Sequence, residues 1–311
     1  MSKKYIYNMN YQVNEKDLCQ LELRSLFKLN VEGKVFFSEI KVDPTLSPFL
    51  KNRLEIFYKT TTFSEIVDLL EKSPIIIDDF KVKYLKLTDD DPHNHNRREL
   101  CKELGLKIQG VAKLSSAKTS FGISFYEGNW YFGELVTNKR KWQVHQTRPH
   151  SYSSSLGIHV AKALVNIASN GDLTKRIIDP CCGVGTVLLE GIYGGFDIRG
   201  RELNWKVAEN ARNNLLHFNY LPKVTTGDIQ DITDSYDVSI IDLPYGIVCK
   251  KSEENQQLII KNAKRISKRV VFISSVDIRV QVSKEGLKVI DSCKIKNERK
   301  GGFSRRVLVC E

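Results

Sequence analysis

The spacing of apolar and polar residues divides the chain near residue 150. In the first half, short period-2 runs alternate with helical patterns. Tyr5 to Tyr11 reads as a strand, and Asn14 caps a helix whose apolar residues Cys19, Leu23, Leu26 and Phe27 recur at i, i+4, i+7 and i+8. Val35 to Val42 and Leu54 to Lys59 predict two more strands, the first followed by a loop with Pro44 and Pro48. Thr62-Phe63-Ser64-Glu65 has the Thr-x-x-Glu form of a capping box and leads into Ile66, Leu69 and Leu70 of a second helix. Phe80 to Leu87 alternates into another strand, and the order β-α-β-β-α-β is that of a ferredoxin-like unit. Beyond the polar tract Asp89 to Asn96 come a helix at Arg97 to Leu104, a strand near Lys107 to Leu114, and a hairpin. The hairpin joins Phe121–Tyr126 to Trp130–Val136 through Glu127-Gly128-Asn129.

From Leu156 the rhythm changes to longer amphipathic helices between short apolar strands. Helices are predicted to Ala168 and over 186–193, 204–218 and 254–266, and strands over 176–179, 196–201, 223–226, 237–243 and 269–274. Such alternation implies right-handed βαβ crossovers and a parallel, doubly wound α/β sheet. A strand pair around 287–293 and 304–310 closes it with an antiparallel edge. The expected division is therefore a ferredoxin-like domain over 1–88, a smaller α+β region over 89–138, a linker over 139–155 and a Rossmann-like domain over 156–311.

Composition narrows the function classes. The 311 residues are 41% hydrophobic and 27% charged, ordinary for globular domains with real cores and unlike disordered or collagen-like chains. Apolar runs such as Val238 to Leu243 and Val270 to Val276 fall far short of the ~20 residues of a membrane-spanning helix. No apolar signal segment follows Lys3 and Lys4, so a cytoplasmic protein without a membrane partner is expected. Seven scattered cysteines without a C-x-x-C pair argue against a disulfide framework or a zinc knuckle. The carboxylates and imidazoles of 89–96 read as a solvated loop before a helix, and no metal site is expected.

The 48 Lys plus Arg against 37 Asp plus Glu leave a net charge of +11, which suits a polyanionic partner such as nucleic acid. The linker gathers Lys139, Arg140, Lys141, His145, Arg148 and His150 around Trp142 and Tyr152. A basic run is commonly a solvated face; interleaved aromatics add the prospect of stacking on RNA bases.

Four strand ends carry candidate chemistry. The first is Asp179-Pro180-Cys181-Cys182-Gly183-Val184-Gly185-Thr186, where Gly183 and Gly185 let backbone approach a ligand at the carboxyl end of a strand. Leu188 stands where a dinucleotide fingerprint needs a third glycine, and the acidic Asp179 suits a cation better than a pyrophosphate. Glu202, at the end of the next strand, lies where an acidic residue bonds ribose hydroxyls; Asp228 and the amide of Ile229, after Gly227, are placed to read an adenine edge. The three outline a pocket for a nucleoside with a charged tail. The fourth end, Asp242-Leu243-Pro244-Tyr245-Gly246, suits an exocyclic amine, whose lone pair is delocalised and needs aiming. The Asp242 carboxylate and Leu243 carbonyl can accept its N–H bonds, Pro244 fixes the turn, and Tyr245 offers a face for a flipped base. An ordinary Pro-Tyr-Gly turn after a buried strand is the bland alternative.

With these motifs in this order, the second half resembles the class I S-adenosylmethionine-dependent methyltransferases that act on amines. The whole chain resembles the THUMP-containing guanosine N2-methyltransferases, which methylate guanosine 10 of tRNA in archaea and eukaryotes and have bacterial relatives. Thr147-Arg148-Pro149, Ala163-Leu164-Val165-Asn166-Ile167-Ala168, Leu188-Leu189-Glu190-Gly191 and Phe303-Ser304-Arg305-Arg306 support the narrower likeness. The resemblance implies S-adenosylmethionine as cofactor, RNA, foremost tRNA, as partner, and a THUMP-like RNA-binding region over 89–138. It implies that Asp179, Gly183, Gly185 and Thr186 border the methionine part, helped by Ser155, and that Glu202 holds ribose and Asp228 the adenine amine. Asp242 would then orient N2 and Tyr245 stack on guanine. The family usually has Pro where this chain has Leu243; because a carbonyl makes the contact, activity should survive with a less rigid loop. Alternatives are methylation of ribosomal RNA or of adenine N6, since related loops serve several amines, and an RNA-binding protein that has lost catalysis.

Overall fold

Backbone pairing gathers the strands into two sheets, of six and seven strands, in a computed structural model that describes residues 4–152, 155–243, 250–295 and 304–311, excepting the side chains of 250–253. The chain divides into two units: Met1–Asn10, Val31–Thr45 and Phe49–Lys139 form the first, and Tyr11–Asn30, Leu46–Pro48 and Arg140–Glu311 the second.

In the first unit, β1 (Tyr5–Met9), β2 (Val35–Ser38), β3 (Leu50–Thr60), β4 (Phe80–Tyr84), β5 (Thr119–Tyr126) and β6 (Asn129–Thr137) lie in the order β2-β1-β3-β6-β5-β4. Helix α1 (Lys16–Phe27) belongs to the second unit, whereas α2 (Phe63–Lys72) and α3 (Arg97–Lys107) belong to the first. The Thr62–Glu65 capping box forms as predicted: Glu65 N–H donates to Thr62 Oγ1 at 3.4 Å and Thr62 N–H to Glu65 Oε2 at 3.3 Å. Ile66 and Leu70 of α2 and Leu100 and Leu104 of α3 bury against Phe80, Phe121, Ile123 and Phe132 of the sheet.

Three expectations for this half are corrected. First, the strands assigned to 1–88 and the hairpin assigned to 89–138 share one sheet, because β6 fills the slot between β3 and β5 and pairs along most of the long β3. Second, the chain after Lys107 is no regular strand; it makes isolated bridges at Gln109 and Ala112. Ile108 is buried there but Val111 and Leu114 are exposed, so the stretch presents no continuous apolar face to sustain a ladder. Third, α1 is not a layer of a ferredoxin-like unit. Its Leu18, Leu21, Leu23, Leu26 and Phe27 are buried, and it packs on α4 (Ile158–Ser169) and the edge strand β12 (Val289–Ile295) of the second unit.

The second unit has the predicted Rossmann-like α/β architecture. After α4 come β7 (Arg176–Asp179), α5 (Thr186–Tyr193), β8 (Asp197–Glu202), α6 (Trp205–His217), β9 (Val224–Thr226), β10 (Tyr236–Asp242), α7 (Lys250–Ile266), β11 (Ser267–Ser274), α8 (Arg279–Lys284), β12 and β13 (Arg305–Cys310). The sheet order is β12-β13-β11-β10-β7-β8-β9; β7 to β11 run parallel, and β13 is antiparallel to both β11 and β12. The chain builds outward from β7 through β9 and then returns to place β10 on the other side of β7. That reversal is a topological switch point, the place where open α/β sheets hold ligands at the carboxyl ends of their strands. Asp179 and Asp242 are the last residues of the two strands that flank it.

The linker also departs from expectation. Lys141–Thr147 forms a 3-10 helix in which Trp142 and His145 have no exposed surface. His145 Nδ1 lies 2.7 Å from Glu190 Oε1 and Nε2 lies 3.1 Å from Tyr220 Oη, while Lys162 Nζ sits over the Trp142 ring at 5.5 Å. Of the two aromatic residues expected beside RNA, Trp142 is turned into the core, where with His145 it meets a buried lysine and glutamate, whereas Tyr152 stays half-exposed.

Candidate active site

The site grows from the turn after β7. Cys181 N–H donates to Asp179 Oδ1 at 3.2 Å, Cys182 N–H to the Arg201 carbonyl at 3.0 Å and Gly185 N–H to the Cys182 carbonyl at 2.8 Å. Gly185 has φ +80°, and a Cβ there would stand 3.3 Å from Ala211 Cβ, so glycine allows both the turn and the close seating of α5 against α6. The next strand end locks this turn. Glu202 accepts the Gly183 N–H through Oε2 at 2.9 Å and the Asn204 N–H through Oε1 at 3.0 Å. Each carboxylate oxygen keeps a second lone pair for a hydroxyl donor.

After β9, Gly227 N–H donates to the Glu202 carbonyl at 3.0 Å. Gly227 has φ +143°, and a Cβ would collide with the Arg201 guanidinium, whose Nε donates to the Asp228 carbonyl at 2.7 Å. Asp228 Oδ1 accepts the Gln230 N–H at 2.9 Å, which turns the chain so that Ile229 is buried. Arg201 escaped the sequence reading; its role depends on the fold bringing β8 beside β9. After β10, Leu243 is buried and its N–H donates to the Ile273 carbonyl at 2.9 Å, tying the segment to β11. Pro244 and Tyr245 lie outside the described residues.

A cleft of about 540 Å³ brings together Ser155, Asp179, Gly183, Thr186, Glu202, Asp228, Ile229, Asp242 and Leu243. This is the size of a small-molecule site. Gly185 is not among its lining residues and shapes the turn from behind. The sequence reading missed the apolar wall of Leu203, Leu258 and Ile259 and the amide of Asn255. Leu203 was the findable member: a leucine next to a strand-end glutamate, 68% exposed, is a flat apolar contact awaiting a ligand.

The cleft is strongly acidic. Burial holds the Asp179 carboxyl well above the usual carboxylate range, and the charges of Asp242 and Glu202 add to the effect against the Cys181 amide. Burial also raises the thiols of Cys181 and Cys182, with Asp179 the next contributor. Thr186 Oγ1 is buried with no hydrogen-bond partner among the described residues. A cation with polar groups would relieve both conditions, whereas a phosphate would meet four carboxylates.

Residues 145–288 match the family described as UPF0020, RMKL-like, methyltransferase domain. The matched residues lie within the second unit and include the strand ends that line the cleft. The tRNA (guanine(10)-N2)-dimethyltransferase of Methanothermobacter thermautotrophicus is 31% identical over 124 residues, 38% of this chain and 37% of that protein. The enzyme of the same name from Methanocaldococcus jannaschii is 23% identical over 284 residues, 84% of this chain and 77% of that protein. Among solved structures, TrmN from Thermus thermophilus superposes with a TM-score of 0.47 at 15% identity, covering 99% of both chains. The match to the first archaeal relative thus spans well under half of that protein, whereas the second extends through most of both chains and beyond the methyltransferase domain.

Proposed function

We propose that the protein transfers a methyl group from S-adenosylmethionine to the exocyclic N2 amine of a guanosine in tRNA. The observation that carries the reading is the facing of Asp179 and Asp242 across the switch point of a methyltransferase domain, in one acidic cleft. The activity named for the two archaeal relatives supports guanine N2 as the acceptor and tRNA as the substrate.

The residues fit that cofactor. Asp179 takes the cationic end, Thr186 Oγ1 and the Gly183 turn border the methionine part, and Ser155 flanks it. Glu202 accepts ribose hydroxyls, Asp228 accepts the adenine amine, the Ile229 amide meets a ring nitrogen, and Leu203 covers the ring. When bound, S-adenosylmethionine supplies an electrophilic methyl group and leaves as the neutral thioether. Asp242 and the Leu243 carbonyl each accept an N–H of the acceptor amine, which aims its lone pair, and Asp242 takes the proton that the amine must lose. Positioning is the main lever, worth orders of magnitude without a strongly perturbed base. Tyr245 stacks on the base in this reading. No residue of the proposal calls for a metal.

RNA is held by charge on the first unit. Lys83 of β4 is electrostatically coupled to Lys81 and Lys139, which lower its proton affinity after burial has done so. Mutually repelling ammonium groups on one unit favour a phosphate as their partner.

The test is incubation of purified protein with methyl-labelled S-adenosylmethionine and unmodified tRNA, followed by nucleoside digestion. Labelled N2-methylguanosine is expected. Label in N6-methyladenosine, or in ribosomal RNA alone, would replace the guanine or tRNA assignment, and no label in any RNA would overturn the reading.

A further inference from the structure

Strand β13 runs against β10 and β11, so its first residues lie at the end of the sheet where those two strands finish. Arg306 pairs in register with Ser274, the last residue of β11, and Asp242 pairs with Ile273 of the same strand. The next residue outward, Arg305, places its Nη2 3.9 Å from Oδ2 of Asp242, a residue that lines the cleft. Both side chains are about one-fifth exposed. Arg306, by contrast, is turned to Asp277 at 3.8 Å, which also meets Arg279 at 3.7 Å. Of the two adjacent arginines, only Arg305 is directed at the proposed catalytic carboxylate.

A carboxylate with a guanidinium beside it has a readable pattern of acceptors followed by donors. The Watson–Crick edge of guanine has the complementary order: N2–H and N1–H donate, and O6 accepts. Adenine places the acceptor N1 directly beside its amine, so a carboxylate that accepted from N6 would set its second oxygen against a lone pair. At 3.9 Å the two groups form an ion pair rather than a bidentate fork, and a guanidinium has five donors to distribute.

We propose that Arg305 is the residue that selects guanine, donating to O6 while Asp242 accepts from N2–H and N1–H and Leu243 accepts the other N2–H. This rests on the guanine-N2 reading above. Arg305 also supplies a counter-charge to Asp242 when the base excludes water from the cleft. Sites built around a polar group reject analogues that lack it far more strongly than apolar pockets do.

The experiment compares tRNA carrying guanosine with tRNA carrying 2-aminopurine riboside at the modified position. The analogue keeps the exocyclic 2-amine but has no O6 and no N1–H. The wild type should prefer guanosine by ~100-fold or more in kcat/KM. Arg305→Met, which has no donor, should reduce that ratio ~10-fold or more, through slower methylation of guanosine, with S-adenosylmethionine affinity unchanged; Arg305→Lys, which retains a charged donor, should fall between. An unchanged ratio in active variants overturns the proposal and leaves the guanine-N2 function standing. Loss of both activities in both variants, with cofactor binding intact, would make Arg305 a requirement of the chemistry and not a reader of the base, and also overturns it. Absence of guanosine methylation by the wild type would remove the underlying function and this inference together.

Discussion

Asp242 ends the strand beside Asp179, and its charge adds to burial in holding the Asp179 carboxyl well above the usual carboxylate range. A cation binds the ionised form of Asp179, so the proton and the cofactor compete. Affinity for S-adenosylmethionine should therefore fall as pH drops through this raised value, approaching tenfold per pH unit below it, while ordinary surface carboxylates are still ionised. Calorimetric titrations at a series of pH values would show it. Asp179→Asn should bind more weakly than the ionised wild type and lose the dependence; a wild-type affinity independent of pH would exclude the proposed pairing.

Asp242 should separate binding from chemistry. In the proposed reading it serves the acceptor amine, so Asp242→Ala is expected to leave cofactor affinity within a few-fold and to reduce methyl transfer by at least ~100-fold, the scale of a lost positioning contact. Equal losses in both measurements would assign Asp242 to cofactor binding or folding instead.

Gly227→Ala tests the hidden part of the site. The new Cβ would meet the Arg201 guanidinium, at a backbone φ of +143° that disfavours side chains. Arg201 must then release the Asp228 carbonyl, or the β9 end must shift. The expected result is a loss of ~1–3 kcal/mol in stability and weaker binding of adenosine-containing ligands. Thermal unfolding with and without S-adenosylhomocysteine would measure both. A variant with wild-type ligand stabilisation would mean that the Arg201 brace is not needed to set Asp228.

The strand ends were legible because each announces itself locally. Asp179 and Asp242 each close an apolar run, Glu202 ends β8 and Asp228 follows β9, and a parallel sheet brings such ends to one edge without further information. What escaped depended on pairing across long sequence separations. Arg201 acts on the Asp228 carbonyl across two strands, and α1 leaves its sequence neighbours β1 and β2 for the second unit. Nor does composition distinguish an exposed basic linker from one in which Trp142 and His145 are buried beside Lys162 and Glu190. The chain's own charge pattern concealed that the aromatic residues there serve packing.

Salt should divide the two binding events. RNA bound by Lys81, Lys83 and Lys139 displaces counterions, so its affinity should fall steeply and log-linearly with salt, whereas S-adenosylmethionine in a half-enclosed cleft should respond weakly. Lys83→Gln should lower the slope of log K against log salt by ~1 and leave cofactor binding unchanged. Filter binding of tRNA at several salt concentrations provides the slope, and an unaltered slope would remove Lys83 from the RNA surface.

The last prediction concerns Glu22 of α1, which is completely buried. Ser47 Oγ donates to its Oε2 at 2.5 Å, and Asn166 Nδ2 donates to its Oε1 at 2.6 Å and to the Leu46 carbonyl at 2.9 Å. Burial pushes the carboxyl up to about 7, against the opposing pull of these hydrogen bonds and of Lys162. Because the folded state favours the neutral acid, its stabilisation is fully present below the unfolded carboxylate range and is lost as pH rises through about 7. This group alone should lower stability by ~1.4 kcal/mol per pH unit within that window, about 3 kcal/mol in all, and contribute no further slope above it. Glu22→Gln preserves the shape and can accept from Asn166 while donating to Ser47 Oγ. The variant should be flatter across this window and at least as stable as the wild type at alkaline pH. Urea unfolding at intervals between about pH 5 and 8 would read the two slopes, and identical slopes would show that Glu22 remains ionised in the folded protein.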